Sequence, residues 1–258
     1  FLDKDYYMAM VPGMNDDQIL TQLCGQYGTS VSGLPVYPEY REAIHYDEKI
    51  LYPHPGIPIW CGWDYGRTPA IVFLQRRVTG HIDIFDELCF ENMGIIEATK
   101  RWKVYVNANY PDFQFYHVGD PAGADKGDRD EKTNMEWQAE QGIYVRPGIK
   151  KLRGDYGRLE AVKKGLTTLL DGKPMVRVGP KAETLHLGFQ GHYKYEELPT
   201  KKGTEDETFK PQPADNKYTH PHDALQYVMG QIIFGDDQQT ESAIGLPQRQ
   251  AGEDGFYV

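Results

Sequence analysis

The chain has 258 residues, 40% of them hydrophobic and 12% aromatic, and a net charge of −10. That is the composition of a folded globular protein, and it argues against a disordered chain, a membrane-spanning one and a surface coated throughout in basic residues for nucleic acid. Cys24, Cys61 and Cys89 are odd in number and lack metal-ligand spacing, which fits free thiols in a reducing compartment.

The first residue is Phe1 and no signal peptide is visible, so the chain reads as a fragment or a processed product. In chain order, residues 1–50 read as a lead-in. They hold one short helix starting near Asn15, then an extended segment, "GLPVYPEYREAIH", in which Pro35 and Pro38 oppose helix. The core begins near Ile57. "IPIWCGWDYG", "PAIVFLQRRV" and "GHIDIFDELCF" are three strands joined by short turns, which predicts an antiparallel meander. "MGIIEATKRWKVYVNANY" has helical spacing, and "FQFYHVGDPAG" is a fourth strand. "EKTNMEWQAEQG" is a helix stopping at Gly142, "IYVRPG" a fifth strand, and "DYGRLEAVKKGLTTLLDGK" an amphipathic helix. "PMVRVG" and "HYKYEEL" are short strands around a helical "KAETLHLGFQ". "PTKKGTEDETFKPQPADNK" reads as a loop, and "THPHDALQYVMGQIIFG" as a last helix before a polar tail expected to be disordered. Strands alternating with helices after a meander predict an α/β domain with a mixed sheet. Trp60, Trp63, Trp102 and Trp137 are expected in or near its core.

Three aspartates share a pattern. Asp64 ends the first strand, Asp120 ends the fourth, and Asp223 sits in the opening turn of the last helix. Neighbouring strand ends in such sheets face a common crevice, and a helix laid across the sheet can bring Asp223 there. Each residue also has an ordinary reading: Asp64 and Asp120 as turn residues, Asp223 as a carboxylate at a helix N-terminus. Together, three carboxylates would raise one another's pKa, and a divalent cation relieves that. Magnesium sits on one or two carboxylates plus water and phosphate oxygens, and two ions about 3.5–4 Å apart can clamp a phosphodiester. His220 and His222 resemble a metal pair but read better as turn or orienting residues. "DKGDRDEKTNME" fails the calcium-loop pattern. Lys150, Lys151, Arg153, Arg158, Lys163 and Lys164 form a basic cluster that is either a phosphate-contacting face or a solvated helix surface; Lys100, Arg101 and Lys103 form a second.

"GWDYGRTPA", "VGDPAGADKGDRDEKTNMEWQAEQGI" and "YTHPHDALQYV" resemble the three acidic motifs of the nuclease domain of phage terminase large subunits, and "GLPVYPEYREAIH" resembles the segment that precedes it. The likeness spans roughly residues 30 to 234. It implies an RNase H-like fold and a two-metal endonuclease, using Mg²⁺ or Mn²⁺, that cuts concatemeric double-stranded phage DNA during packaging in the host cytoplasm. It makes Asp64, Asp120 and Asp223 the catalytic metal ligands, and an ATPase domain, a portal protein and a small terminase subunit the partners. The organisation expected is a lead-in or linker over 1–50, the nuclease domain over 51–234 and the tail over 235–258. No G-x-x-x-x-G-K-[ST] phosphate loop occurs, so an ATPase part is expected to lie outside this chain. Rival readings are another RNase H-like nuclease of the resolvase or transposase type, an actin-like or sugar-kinase ATPase suggested by "WDYGRT", and an inert packaging module. Residues 199 to 218 are expected to form a flap beside the site, with Lys201, Lys202 and Lys210 able to meet phosphates.

Overall fold

The structure is a computed structural model that describes residues 33–125, 132–149, 157–198 and 209–239. It opens on β1 (Leu34–Pro35) and a single helical turn, α1 (Glu42–His45). Burial on both faces turns the first three apolar runs into β2 (Ile59–Asp64), β3 (Ala70–Arg76) and β4 (Ile82–Cys89), the antiparallel meander that the sequence predicts. Helix α2 (Ile95–Asn109) leads to β5 (Phe115–Gly119), which pairs parallel to β2. Helix α3 (Asn134–Glu140) opens on Thr133, whose hydroxyl accepts from the Glu136 N–H while the Glu136 carboxylate accepts from the Thr133 N–H, a capping box; it is followed by β6 (Val145–Pro147). Next come helix α4 (Arg158–Thr167), the short strands β7 (Leu169–Leu170) and β8 (Lys173–Pro174), and β9 (Val176–Val178). A short helix α5 (Glu183–Leu187), β10 (Lys194–Glu197), β11 (Phe209–Pro213) and the long helix α6 (Thr219–Gln239) complete the layers. Strand order in the six-stranded sheet is β6-β5-β2-β3-β4-β9, with parallel pairs at both ends of the meander. This is an RNase H-like mixed sheet flanked by helices, the fold class that the resemblance implies.

The two faces of the sheet carry separate cores. Ile59, Cys61, Trp63, Ile71 and Phe73 point to α2 and pack with Phe85, Trp102 and Tyr110. Val72, Leu74 and Val118 point to α6 and pack with Ala161, Leu225, Val228 and Met229. The lead-in contributes to this second core. β1 pairs with β10, and Val36 and Tyr37 are buried behind it, with the Tyr37 ring against Phe189, Tyr193 and His222.

Four expectations need correction. The long helix over 155–173 stops at Thr167, and the chain then makes the β7–β8 hairpin. Its turn is Asp171-Gly172, both at positive φ (50° and 73°), the Asp-Gly pair that a tight hairpin favours. Part of the expected loop is strand β11, which pairs with β10. Its prolines are tolerated because β11 is the edge of the three-stranded sheet β1-β10-β11. Trp137 is not a core residue: it is 36% exposed, with the Lys132 ammonium over its ring. Finally, α6 runs to Gln239, beyond the expected start of the tail; residues 240–258 lie outside the described residues.

Candidate active site

Asp64 is the last residue of β2, and strand alternation puts it on the α6 face with Gly62. Trp63 and Gly119 are partners in the parallel ladder, and the Asp120 N–H donates to the Trp63 carbonyl at 3.1 Å. Asp64 and Asp120 therefore leave adjacent strand ends. Helix α6 crosses over Gly62, where a Cβ would lie 2.2 Å from the Ala224 carbonyl oxygen. Only glycine admits that approach, and it brings Asp223, the residue before Ala224, over the end of β2. Asp223 is the fifth residue of α6, which starts at Thr219 as the sequence predicts.

Each carboxylate is held differently. Asp120 caps the short 3₁₀ turn Pro121–Ala124, its Oδ1 accepting from the Ala122 N–H at 2.9 Å. Tyr65 fixes that turn from beneath: its ring occupies the space where a Cβ on Gly123 would come within 2.0 Å, and its hydroxyl donates to Gln138 Oε1 at 2.8 Å. Asp64, 5% exposed, accepts from His220 Nδ1 at 3.0 Å. Arg158, the first residue of α4, reaches Asp223: its Nη2 lies 3.0 Å from Oδ1. That contact lacks hydrogen-bond alignment, and the buried Oδ1 has no hydrogen-bond partner among the described residues. The same guanidinium donates to the Tyr227 hydroxyl and lies 5.0 Å from the centre of the Tyr227 ring.

The electrostatics follow from burial. Desolvation raises the Asp64 carboxyl above its usual range, His220 opposes this by hydrogen bond and charge, and Asp120 adds to it. Desolvation pushes Asp223 up to about 6, with Arg158 opposing and Asp64 reinforcing. His220 is raised, first by its hydrogen bond to Asp64. The charge of Asp120 thus reaches Asp64, and the charges of both reach Asp223. Among the described residues, however, no three His, Cys, Asp or Glu side chains converge on a point that would hold one ion. The donor set of carboxylates and an imidazole suits Mg²⁺ or Mn²⁺, but Asp223 is paired with the Arg158 guanidinium and Asp64 accepts from His220.

His222 is no ligand in this arrangement. Its ring stacks on Tyr193 at 4.6 Å and meets Phe189 edge-on at 4.5 Å, and burial pushes its pKa down to about 3. Lys150, Lys151, Arg153, Lys201 and Lys202 lie outside the residues whose side chains are described, as does most of the expected flap. Lys210 is paired with Glu196, Lys163 with Glu160 at 3.4 Å, and Lys164 lies over the Phe234 ring. Lys100, Arg101 and Lys103 are on α2, which packs on the sheet face opposite Asp64, and Arg101 pairs with Glu97 at 3.3 Å. Tyr65, Gln138 and Tyr227 belong to the site without any mark in the sequence. Tyr65 adjoins Asp64, but nothing in the sequence says that its ring fills the space at Gly123.

No protein-family model and no curated protein sequence matches the chain. Solved structures do. A large terminase from a thermophilic bacteriophage, in complex with ADP, superposes with a TM-score of 0.57 at 16% identity, over 91% of this chain and 53% of that one. A second structure of the same phage's terminase gives 0.56 at 16% identity, over 90% and 53%. The P22 large terminase nuclease domain gives 0.52 at 12% identity, over 79% of this chain and 97% of that domain. The fold is that of a phage large terminase nuclease domain. The chain spans about half the length of the thermophilic-phage terminase and matches nearly the whole of the P22 domain. No helix among the described residues is long and apolar enough to cross a membrane.

Proposed function

We propose that this chain is a divalent-metal-dependent endonuclease that cuts double-stranded, concatemeric phage DNA during genome packaging. What supports the reading is that Asp64 and Asp120 leave adjacent strand ends and α6, crossing over Gly62, brings Asp223 over the end of β2, in a chain with the fold of a terminase nuclease domain. The reaction needs no nucleophilic side chain beside them. Bound Mg²⁺ or Mn²⁺, as two ions, would supply a polarised water and neutralise charge on the phosphate.

The protein's part is to hold that arrangement. Asp64 and Asp223 present oxygens from a buried edge, Asp120 is fixed by its turn and by Tyr65, and His220 orients the Asp64 carboxylate. Burial excludes competing water and strengthens each charge contact. Arg158 faces the crevice and is the described member of the DNA-contact set; Lys150, Lys151, Arg153, Lys201 and Lys202 are proposed to extend it along the duplex backbone. The partners proposed are an ATPase part of the same motor, a portal protein and a small terminase subunit, acting in the host cytoplasm. Similarity to large terminases supports that setting.

Incubation of the chain with supercoiled plasmid tests the reading. Nicking and linearisation are expected with Mn²⁺ and, at similar or lower rate, with Mg²⁺, and neither in excess chelator. Cleavage at full rate in chelator would sink the metal mechanism. No cleavage under any divalent ion, by a protein shown to be folded, would sink the nuclease assignment.

A further inference from the structure

Arg158 is held at the site by more than one contact. Its guanidinium is ion-paired to Asp223 at 3.0 Å, donates to the Tyr227 hydroxyl and packs over the Tyr227 ring. Arginine stays charged at any working pH. Yet the contact with Asp223 is a charge pair without hydrogen-bond alignment, so the buried Oδ1 remains short of a partner among the described residues. A cation that neutralises a carboxylate without satisfying its lone pairs is poorly bonded to it. It is also one-third exposed, so it has somewhere to go. Its partner carboxylate is one of the three that a metal would need.

We infer that Arg158 is a positioning residue that stands in for the divalent ion at Asp223, and that metal binding displaces it toward a phosphate oxygen of the bound strand. This rests on the nuclease reading above and adds its regulation: the charge of Asp223 is met from within by Arg158, and metal must compete for that carboxylate. Displacement moves the guanidinium by a rotation of its long side chain, and Tyr227 is the hold that must be released. Because the guanidinium then meets a phosphate, ion and DNA reinforce each other's binding.

The test is Mn²⁺ affinity by calorimetry on the chain without DNA, at a pH well above the Asp223 titration. Arg158→Gln is expected to bind Mn²⁺ about tenfold more tightly than wild type. Tyr227→Phe, which removes one hold on the guanidinium, is expected to fall between the two. Salt dependence of duplex binding, measured in Ca²⁺ to prevent cutting, should lose a slope of about one in Arg158→Gln. A merely structural Arg158 would lower the melting temperature and leave Mn²⁺ affinity equal or weaker. That result, in a folded Arg158→Gln, overturns the inference while the nuclease reading stands. Should Arg158→Gln not fold, unchanged affinity in Tyr227→Phe overturns it. Mn²⁺ binding absent from wild type and both variants removes the metal reading and this inference with it.

Discussion

The two faces of the central sheet each bury a carboxylate, and they treat it in opposite ways. On the α2 face, Asp86 accepts from the Tyr105 and Tyr110 hydroxyls at 2.6 and 2.5 Å and from the Glu87 N–H at 2.9 Å. Neutral donors satisfy it, and around it Trp63, Phe73, Phe85 and Trp102 fill the core. On the α6 face, Asp64 accepts from the His220 imidazole and Asp223 pairs with the Arg158 guanidinium, and both carboxyls are raised by burial. One strand serves both: Cys61 and Trp63 fill one side, while Gly62 and Asp64 leave the other side open for a helix and a charge. A buried acid with enough neutral donors is architecture, and so is one bound by two arginines, as Asp83 is by Arg77 and Arg177; acids set at neighbouring strand ends that raise one another are a place for chemistry.

The largest contrast should come from matched substitutions. Asp64→Asn is expected to cut plasmid cleavage by about a thousandfold or more, equivalent to about 4 kcal/mol of barrier, with a native fold. Asp86→Asn should keep the cleavage rate per folded molecule and lose about 2 kcal/mol of stability in denaturant titration, because one tyrosine hydroxyl loses a charged acceptor. Equal loss of cleavage in both would erase the distinction between the faces.

A smaller difference should follow between neighbours on β2. Gly62→Val drives a side chain into the Ala224 carbonyl and should cost about 3 kcal/mol and displace Asp223. Cys61→Ala trims the α2 core and should cost about 1 kcal/mol, leaving cleavage intact. Thermal melts with cleavage assays separate the two.

The smallest effect is in pH dependence. Asp223 holds its proton more tightly in the folded state, so as pH rises the unfolded chain releases that proton first. Metal-free stability should therefore fall between about pH 4 and pH 6, by about 2 kcal/mol from this group. Asp64 acts in the same direction; the contribution of His220, whose pKa is raised, is fully present over this range and is lost only as pH rises above the ordinary imidazole value. Asp223→Asn should flatten the profile; a melting temperature that rises over this range would contradict the electrostatics of the α6 face.

Much of the fold is legible in the sequence because burial on two faces writes itself as apolar runs of strand length between turn residues. The three aspartates draw notice in the sequence because Asp64 closes an apolar run with Gly62 and Gly66 two residues to either side, Asp120 stands between Gly119 and Pro121, and Asp223 follows His222 near the start of a helical run. The hairpin at Asp171-Gly172 has its signal in the sequence, but the helical run before it masks that signal. Strand β11 is hidden by Pro211 and Pro213, which an edge strand accepts and a central one does not. The pairs Arg158–Asp223 and His220–Asp64 join residues 65 and 156 positions apart, and no local pattern encodes such contacts. Tyr37 stands between two prolines in what looks like a linker, yet its ring is among the better buried in the molecule.

That last feature bears on how load enters the domain. Residues 34–37 are joined to the body through β1, the Val36 N–H on the Tyr193 carbonyl and the Tyr37 ring beside His222. His222 is the residue before Asp223. A force applied at β1 would load the β1–β10 pair in shear and lever the first turns of α6.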